Sequence, residues 1–120
     1  MTKPKTIPFT AAEIAEQLAA LPGWYYEDEW IRRVYKTDGW QTTLMLVNTV
    51  AYLSEAAYHH PDLSVTWARV IVKLQTHDAG GITMKDFELA RKIDEVALWR
   101  PAGGALEGTP NKWIRSGDPR

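Results

Sequence analysis

The chain has no cysteine in its 120 residues. That absence removes disulfides, thiolate nucleophiles and cysteine-based zinc sites together, and it fits a reducing compartment. A basic excess is missing too. Fourteen Lys+Arg face fifteen Asp+Glu, a formal charge of -1, so nothing points to nucleic acid as a partner. No apolar run approaches the roughly 20 residues that span a bilayer. The opening MTKPKTIPFTAAEIAEQ lacks the apolar core of a signal peptide. We therefore expect a cytoplasmic protein with no membrane partner. The AGG at 79–81 has neither phosphate-loop nor dinucleotide spacing, and no serine sits in a nucleophile elbow. H-x-H and H-E-x-x-H spacings are also lacking, so no metal and no bound cofactor are expected.

What remains is a globular composition, 45% apolar and 24% charged, in a chain long enough to bury one self-sufficient core. FTAAEIAEQLAALPG reads as a helix, with Thr10 and Glu13 at capping-box spacing and Pro22-Gly23 as its stop. WYYEDEWIRRVYK reads as two strands turning near Glu27-Asp28. Asp38 and Gln41 predict a capped helix from about Trp40 to Tyr58. It carries two apolar stripes. One holds Trp40, Leu44, Val47, Ala51 and Ser54; the other holds Leu46, Val50, Leu53 and Ala57. One is expected to face the sheet and the other a second subunit. Alternation in LSVTW and VIVKLQTH gives two further strands with a turn at Ala68-Arg69, which would set Trp67 opposite Val70 as a core residue. Thr83 caps a last helix to about Trp99. The order is α-β-β-α-β-β-α: an α+β fold, a four-stranded antiparallel sheet with three helices packed on one face. Residues 1–100 form a single domain, and the Gly/Pro-rich tail 101–120 is expected to be irregular, with Trp113 and Ile114 as its anchors.

Chemistry concentrates in His59, His60, His77, Glu55, Asp78 and Asp86. Only histidine, unperturbed, both gives and takes protons near neutrality. All three histidines fall at ends of elements, and Pro61 forces the helix to end at or before His60. Each residue also has a structural reading: His77 as a strand cap, Asp86 as the N3 partner of Thr83, Glu55 as a solvated helix residue.

Ordered spacing changes that weighting. Glu55, three residues, His59-His60-Pro61, five residues, Trp67, nine residues, His77, eight residues, Asp86 resembles the signature of the pterin-4a-carbinolamine (4a-hydroxytetrahydrobiopterin) dehydratases, over about residues 9–99. The resemblance implies an enzyme, a hydro-lyase. It would dehydrate a 4a-hydroxytetrahydropterin to the quinonoid dihydropterin in tetrahydrobiopterin recycling, using histidine general acid/base catalysis without metal or cofactor. It places His59, His60 and His77 around the substrate, with His59 and His77 as the acid–base pair and His60 more for binding. Glu55, Pro61, Trp67, Thr76, Asp78 and Ala79 would contact the reduced pterin, and Asp86 would orient His77 or help shape its loop, alongside its capping role. Tyr58 and Leu63 depart from familiar members and bear on pocket shape. Partners implied are further copies of the chain, as homodimer or homotetramer, and a functional link to an aromatic amino-acid hydroxylase. The alternative is a non-catalytic protein on the same fold, a transcription-factor dimerisation cofactor or an assembly factor.

Overall fold

A computed structural model of the chain describes residues 3–111 and 113–119. Its elements are α1 (Ala11–Leu18), β1 (Trp24–Glu27), β2 (Trp30–Lys36), α2 (Trp40–Ala57), β3 (Asp62–Thr66), β4 (Arg69–Leu74), α3 (Met84–Ala97) and β5 (Arg115–Ser116), with one 3-10 turn at His77–Ala79. The four long strands run antiparallel in the order β1-β2-β4-β3. The α+β class and the element order are those expected.

Both hairpins turn one residue away from the expected place. Glu27 faces Trp30, so Asp28 and Glu29 form the first turn, both at positive φ (50° and 71°). A two-residue hairpin of that hand matches the strand twist. In the second hairpin Thr66 faces Arg69 and Val65 faces Val70. The turn is therefore Trp67-Ala68, not Ala68-Arg69. Two hydrogen bonds fix it there: Thr43 Oγ1 donates to the Trp67 carbonyl (2.9 Å) and Thr37 N to that of Ala68 (3.0 Å). Trp67 leaves the sheet and stands 67% exposed, where a core position was expected.

Residues that share a face follow from the register. Ile31, Tyr35, Val70, Val72 and Leu74 point to the helices and are fully buried, with Leu46 and Val50 of α2 and Phe87, Ala90 and Ile93 of α3 above them. The second stripe of α2 is thus the one that meets the core. Trp40 and Leu44 of the first stripe are 48% and 40% exposed. The N-cap of α2 is Gly39 with no side-chain cap. Asp38 does not serve; Thr37 Oγ1 accepts from Gly39 N instead.

Asp94 of α3 fastens that helix to the sheet. Its carboxylate accepts from Trp24 Nε1 (3.0 Å) and the Tyr35 hydroxyl, and lies 2.9 Å from Arg33 Nε. Arg33 also donates to the Pro22 carbonyl at 2.6 Å. Gly23 leaves room for this: a Cβ there would sit 1.3 Å from Arg33 Nη1.

The tail is not irregular throughout. Ile114 is 5% exposed in the core, and β5 pairs with Tyr35 and Lys36 of β2. β1 reaches only as far as Arg33 along β2, so β5 continues the same edge. No described helix is long and apolar enough to cross a membrane.

Candidate active site

The site begins where α2 stops. Tyr58 takes the left-handed conformation (φ 55°, ψ 44°), which costs a non-glycine residue of order 1 kcal/mol. The N–H groups of Tyr58 and His59 turn back to the carbonyls of Glu55 and Ser54, both at 3.1 Å. Pro61 then forbids helical geometry at His60. This reversal separates the two rings. His59 turns inward, its side chain 12% exposed, whereas His60 stays 53% exposed.

His59 meets Asp86. Its Nε2 lies 2.6 Å from Asp86 Oδ1, and the Asp86 side chain is fully buried. The other carboxylate oxygen accepts from Thr83 N (2.9 Å), closing the capping box of α3, and from Thr76 Oγ1 (2.7 Å). Since Thr76 gives its hydrogen to Asp86, the 2.7 Å contact between Thr76 and Thr83 hydroxyls runs from Thr83 to Thr76. A buried carboxylate is tolerable only with such donors around it. The network also sets the imidazole tautomer. Nε2 carries the hydrogen that Asp86 accepts, which leaves Nδ1 as the nitrogen available for proton transfer.

His60 Nε2 pairs with Glu55 Oε1 at 2.8 Å on the surface. The Tyr58 ring stands edge-on to it, centroids 6.0 Å apart. His77 is exposed and opens the single 3-10 turn that also holds Asp78 and Ala79. The turn is closed by Gly80 N donating to the His77 carbonyl (3.0 Å) and by the Thr76–Gly81 bridge. Asp86 therefore orients His59, not His77. The physical reason is the short reach of the N3 position: its carboxylate is committed to Thr83, Thr76 and His59. His77 is linked to it only through its neighbour Thr76.

Pro61 and Ala79 are half-buried beside these histidines in sequence, and Asp78 is exposed. Trp67 is not brought to the site. It sits past the far end of β3 from His60, with its ring against Gly39; five strand residues span about 17 Å.

A cleft of about 680 Å³ opens between α2 and α3, with His59 and Tyr58 on its wall and Leu53, Ala56 and Leu89 as apolar lining. Volumes of this order hold small organic ligands. Neither His60 nor His77 lines it. Lys85 and Lys92 do, together with Lys5. Sequence reasoning passed over them, although the i, i+7 spacing on α3 placed Lys85 and Lys92 on one face. Among the described residues no three His, Cys, Asp or Glu side chains gather as a metal set.

Residues 7–96 match the family model described as pterin 4 alpha carbinolamine dehydratase. The chain belongs to this family. A relative from Aquifex aeolicus, named as a pterin-4-alpha-carbinolamine dehydratase, is 46% identical over 84 residues, 70% of this chain and 85% of that protein. One of the same name from Chloroflexus aurantiacus is 49% identical over 85 residues, 71% and 91% of the two chains. Among solved structures, the transcriptional coactivator/pterin dehydratase from Brucella melitensis superposes with a TM-score of 0.71 at 35% identity, covering 75% of this chain and 98% of that one. The pterin dehydratase match thus spans α1 through all but the last residue of α3, and the tail that adds β5 lies outside it.

Proposed function

We propose that this protein removes water from a 4a-hydroxytetrahydropterin, leaving the quinonoid dihydropterin, and that His59 is its central proton-transfer group. Family membership supports the reaction class, a hydro-lyase on a pterin 4a-carbinolamine. The observation that carries the residue assignment is the 2.6 Å contact of His59 with a fully buried Asp86 at the wall of the cleft.

The chemistry asks for two proton transfers. The C4a–O bond breaks with its electron pair on oxygen, so hydroxide needs a proton to leave as water. The N5–H proton is lost as the C4a=N5 double bond forms. A histidine held by a carboxylate is suited to either step, because the anion stabilises the imidazolium and aims the other nitrogen. His59 Nδ1 serves as one partner and His77 as the other; His60, paired with Glu55, binds and orients. Each transfer contributes about 10²–10⁴-fold. Thr76, Asp78 and Ala79, in the turn around His77, and Pro61 lie outside the lining of the cleft; on this reading they complete the pterin's surroundings from the His77 side. No metal and no cofactor enter this scheme. The setting is the cytosol, downstream of an aromatic amino-acid hydroxylase.

The test is direct. Purified, chelator-treated protein should accelerate dehydration of a 4a-hydroxytetrahydropterin, followed by ultraviolet absorbance, and His59→Ala should lower the rate at least a hundredfold while retaining its fold. No acceleration over the uncatalysed reaction sinks the reading.

A second reading is favoured by the exposed α2 face of Trp40, Leu44, Met45 and Tyr52. It is the face of a subunit or partner contact, in line with a homodimer or homotetramer and with the coactivator named among the solved structures. Light scattering of Leu44→Glu against the parent chain tests it: equal masses would remove the face from any self-association.

A further inference from the structure

The walls of the cleft beside His59 carry a charge pattern that a neutral pterin does not use. Lys5, Lys85 and Lys92 line it against the single carboxylate of Glu88. Lys92 Nζ is 3.3 Å from Glu95. Among the described residues, neither Lys5 nor Lys85 has a carboxylate within ion-pair distance. Lys85 also occupies the first turn of α3, where the positive end of the helix disfavours a cation. The Asp86 carboxylate already caps this turn and offsets part of the helix's positive field, so the attraction for an anion in the cleft comes from the lysines themselves. Lys92 stands two turns further along, about 10 Å by helix rise. The same cleft holds His59, an apolar lining and these cations, so a ligand that fills it is flat and apolar in one part and anionic in another.

We infer that the preferred substrate is a reduced pterin whose C6 side chain carries an anionic group, a phosphate ester or a carboxylate, held by Lys85 and Lys92 with Lys5 closing over it. This deepens the dehydratase reading and rests on it. The pterin ring stays at His59, and the side chain runs along α3 toward the lysines.

The probes are two 7,8-dihydropterins that share one polyhydroxypropyl side chain, free in one and phosphorylated at its terminal hydroxyl in the other, titrated onto the full chain by intrinsic fluorescence. A third, ending in a carboxylate, separates the two anions. The expected result is about tenfold tighter binding of an anionic probe than of the neutral one, the sum of two modest ion pairs, with the advantage fading as salt rises. The double variant Lys85→Gln/Lys92→Gln should bring the affinity ratio close to one, and Lys85→Glu should invert it. Lys36→Gln, on the opposite face of the sheet, should leave the ratio as it is. Equal affinities of all three probes for the parent chain overturn the inference while the dehydratase reading stands. If no probe binds, the pterin reading itself fails.

Discussion

Asp86 holds His59 at 2.6 Å and, with its other oxygen, caps its own helix through Thr83 N at 2.9 Å. One carboxylate therefore does a structural and a positioning job, and substitutions can pull them apart. Asp86→Asn keeps an oxygen for the cap but removes the negative charge that faces His59 Nε2. The expected outcome is a loss of about 10²-fold or more in kcat with less than about 1 kcal/mol of stability. Asp86→Ala loses both, and leaves Thr76 without its acceptor in a buried site, at about 2–3 kcal/mol. Turnover and urea denaturation of the two variants side by side check this. Equal kcat in Asp86→Asn and the parent would show that Asp86 only caps.

The three histidines should not behave alike. His59 is inward and carboxylate-bound, whereas His60 is half-exposed and paired with Glu55 on the surface. His60→Ala should raise KM and change kcat by less than about tenfold, because an exposed pair of this kind contributes at most about 1 kcal/mol. His59→Ala should lower kcat itself. Steady-state kinetics separate the two, and a kcat loss at His60 as large as at His59 would reverse the assignment.

Tyr35 makes alkaline pH a probe of the core. Burial, then the negative charge of Asp94 and the hydrogen bond to it, raise the hydroxyl well above its ordinary value of 10.0. The folded chain therefore keeps that proton where the unfolded chain loses it. Below about pH 10 the contribution is fully present; above it the unfolded state binds fewer protons, so stability falls by up to ~1.4 kcal/mol per pH unit. Tyr35→Phe should be less stable at pH 8, for want of the bond to Asp94, yet lose less on going from pH 9.5 to 11. Parallel urea melts across that range test the sign.

How far these features were legible in the sequence depended on how local their causes are. Thr10-Glu13 and Thr83-Asp86 announce their helices because a capping box is closed within four residues. The α2 terminus was readable from Pro61. The hairpin turns were not, because Trp67-Ala68 is fixed by Thr43 and Thr37, 24 and 31 residues before the carbonyls they hold. No local pattern carries that bond, and a one-residue shift was enough to move Trp67 from core to surface. The same holds at the site. Histidine spacing pointed to His59, but which histidine Asp86 reaches depends on how Tyr58 reverses the chain. A left-handed tyrosine is a tertiary outcome that propensity argues against.

The tail gives the last prediction. Its composition, rich in Gly and Pro, argues for an irregular end, yet Ile114 fills the core and Gly117 N donates to the Val34 carbonyl at 2.9 Å. Gly117 is also the residue that permits the close approach: a Cβ there would meet Val34 Cγ1 at 2.8 Å and Lys36 Cγ at 2.6 Å. If the tail completes the β2 edge, Ile114→Ala should cost about 2–4 kcal/mol, as a buried isoleucine does, and Gly117→Ala should cost about 1–2 kcal/mol through overpacking. Leu106→Ala, at a side chain 65% exposed, should stay within about 0.5 kcal/mol. Activity of the Ile114 variant in the cold should persist, since His59, Asp86 and Thr76 are held by α2, α3 and the loop after β4. Urea denaturation checks the first three values. A tail that merely rests on the surface would give an Ile114→Ala variant indistinguishable from Leu106→Ala.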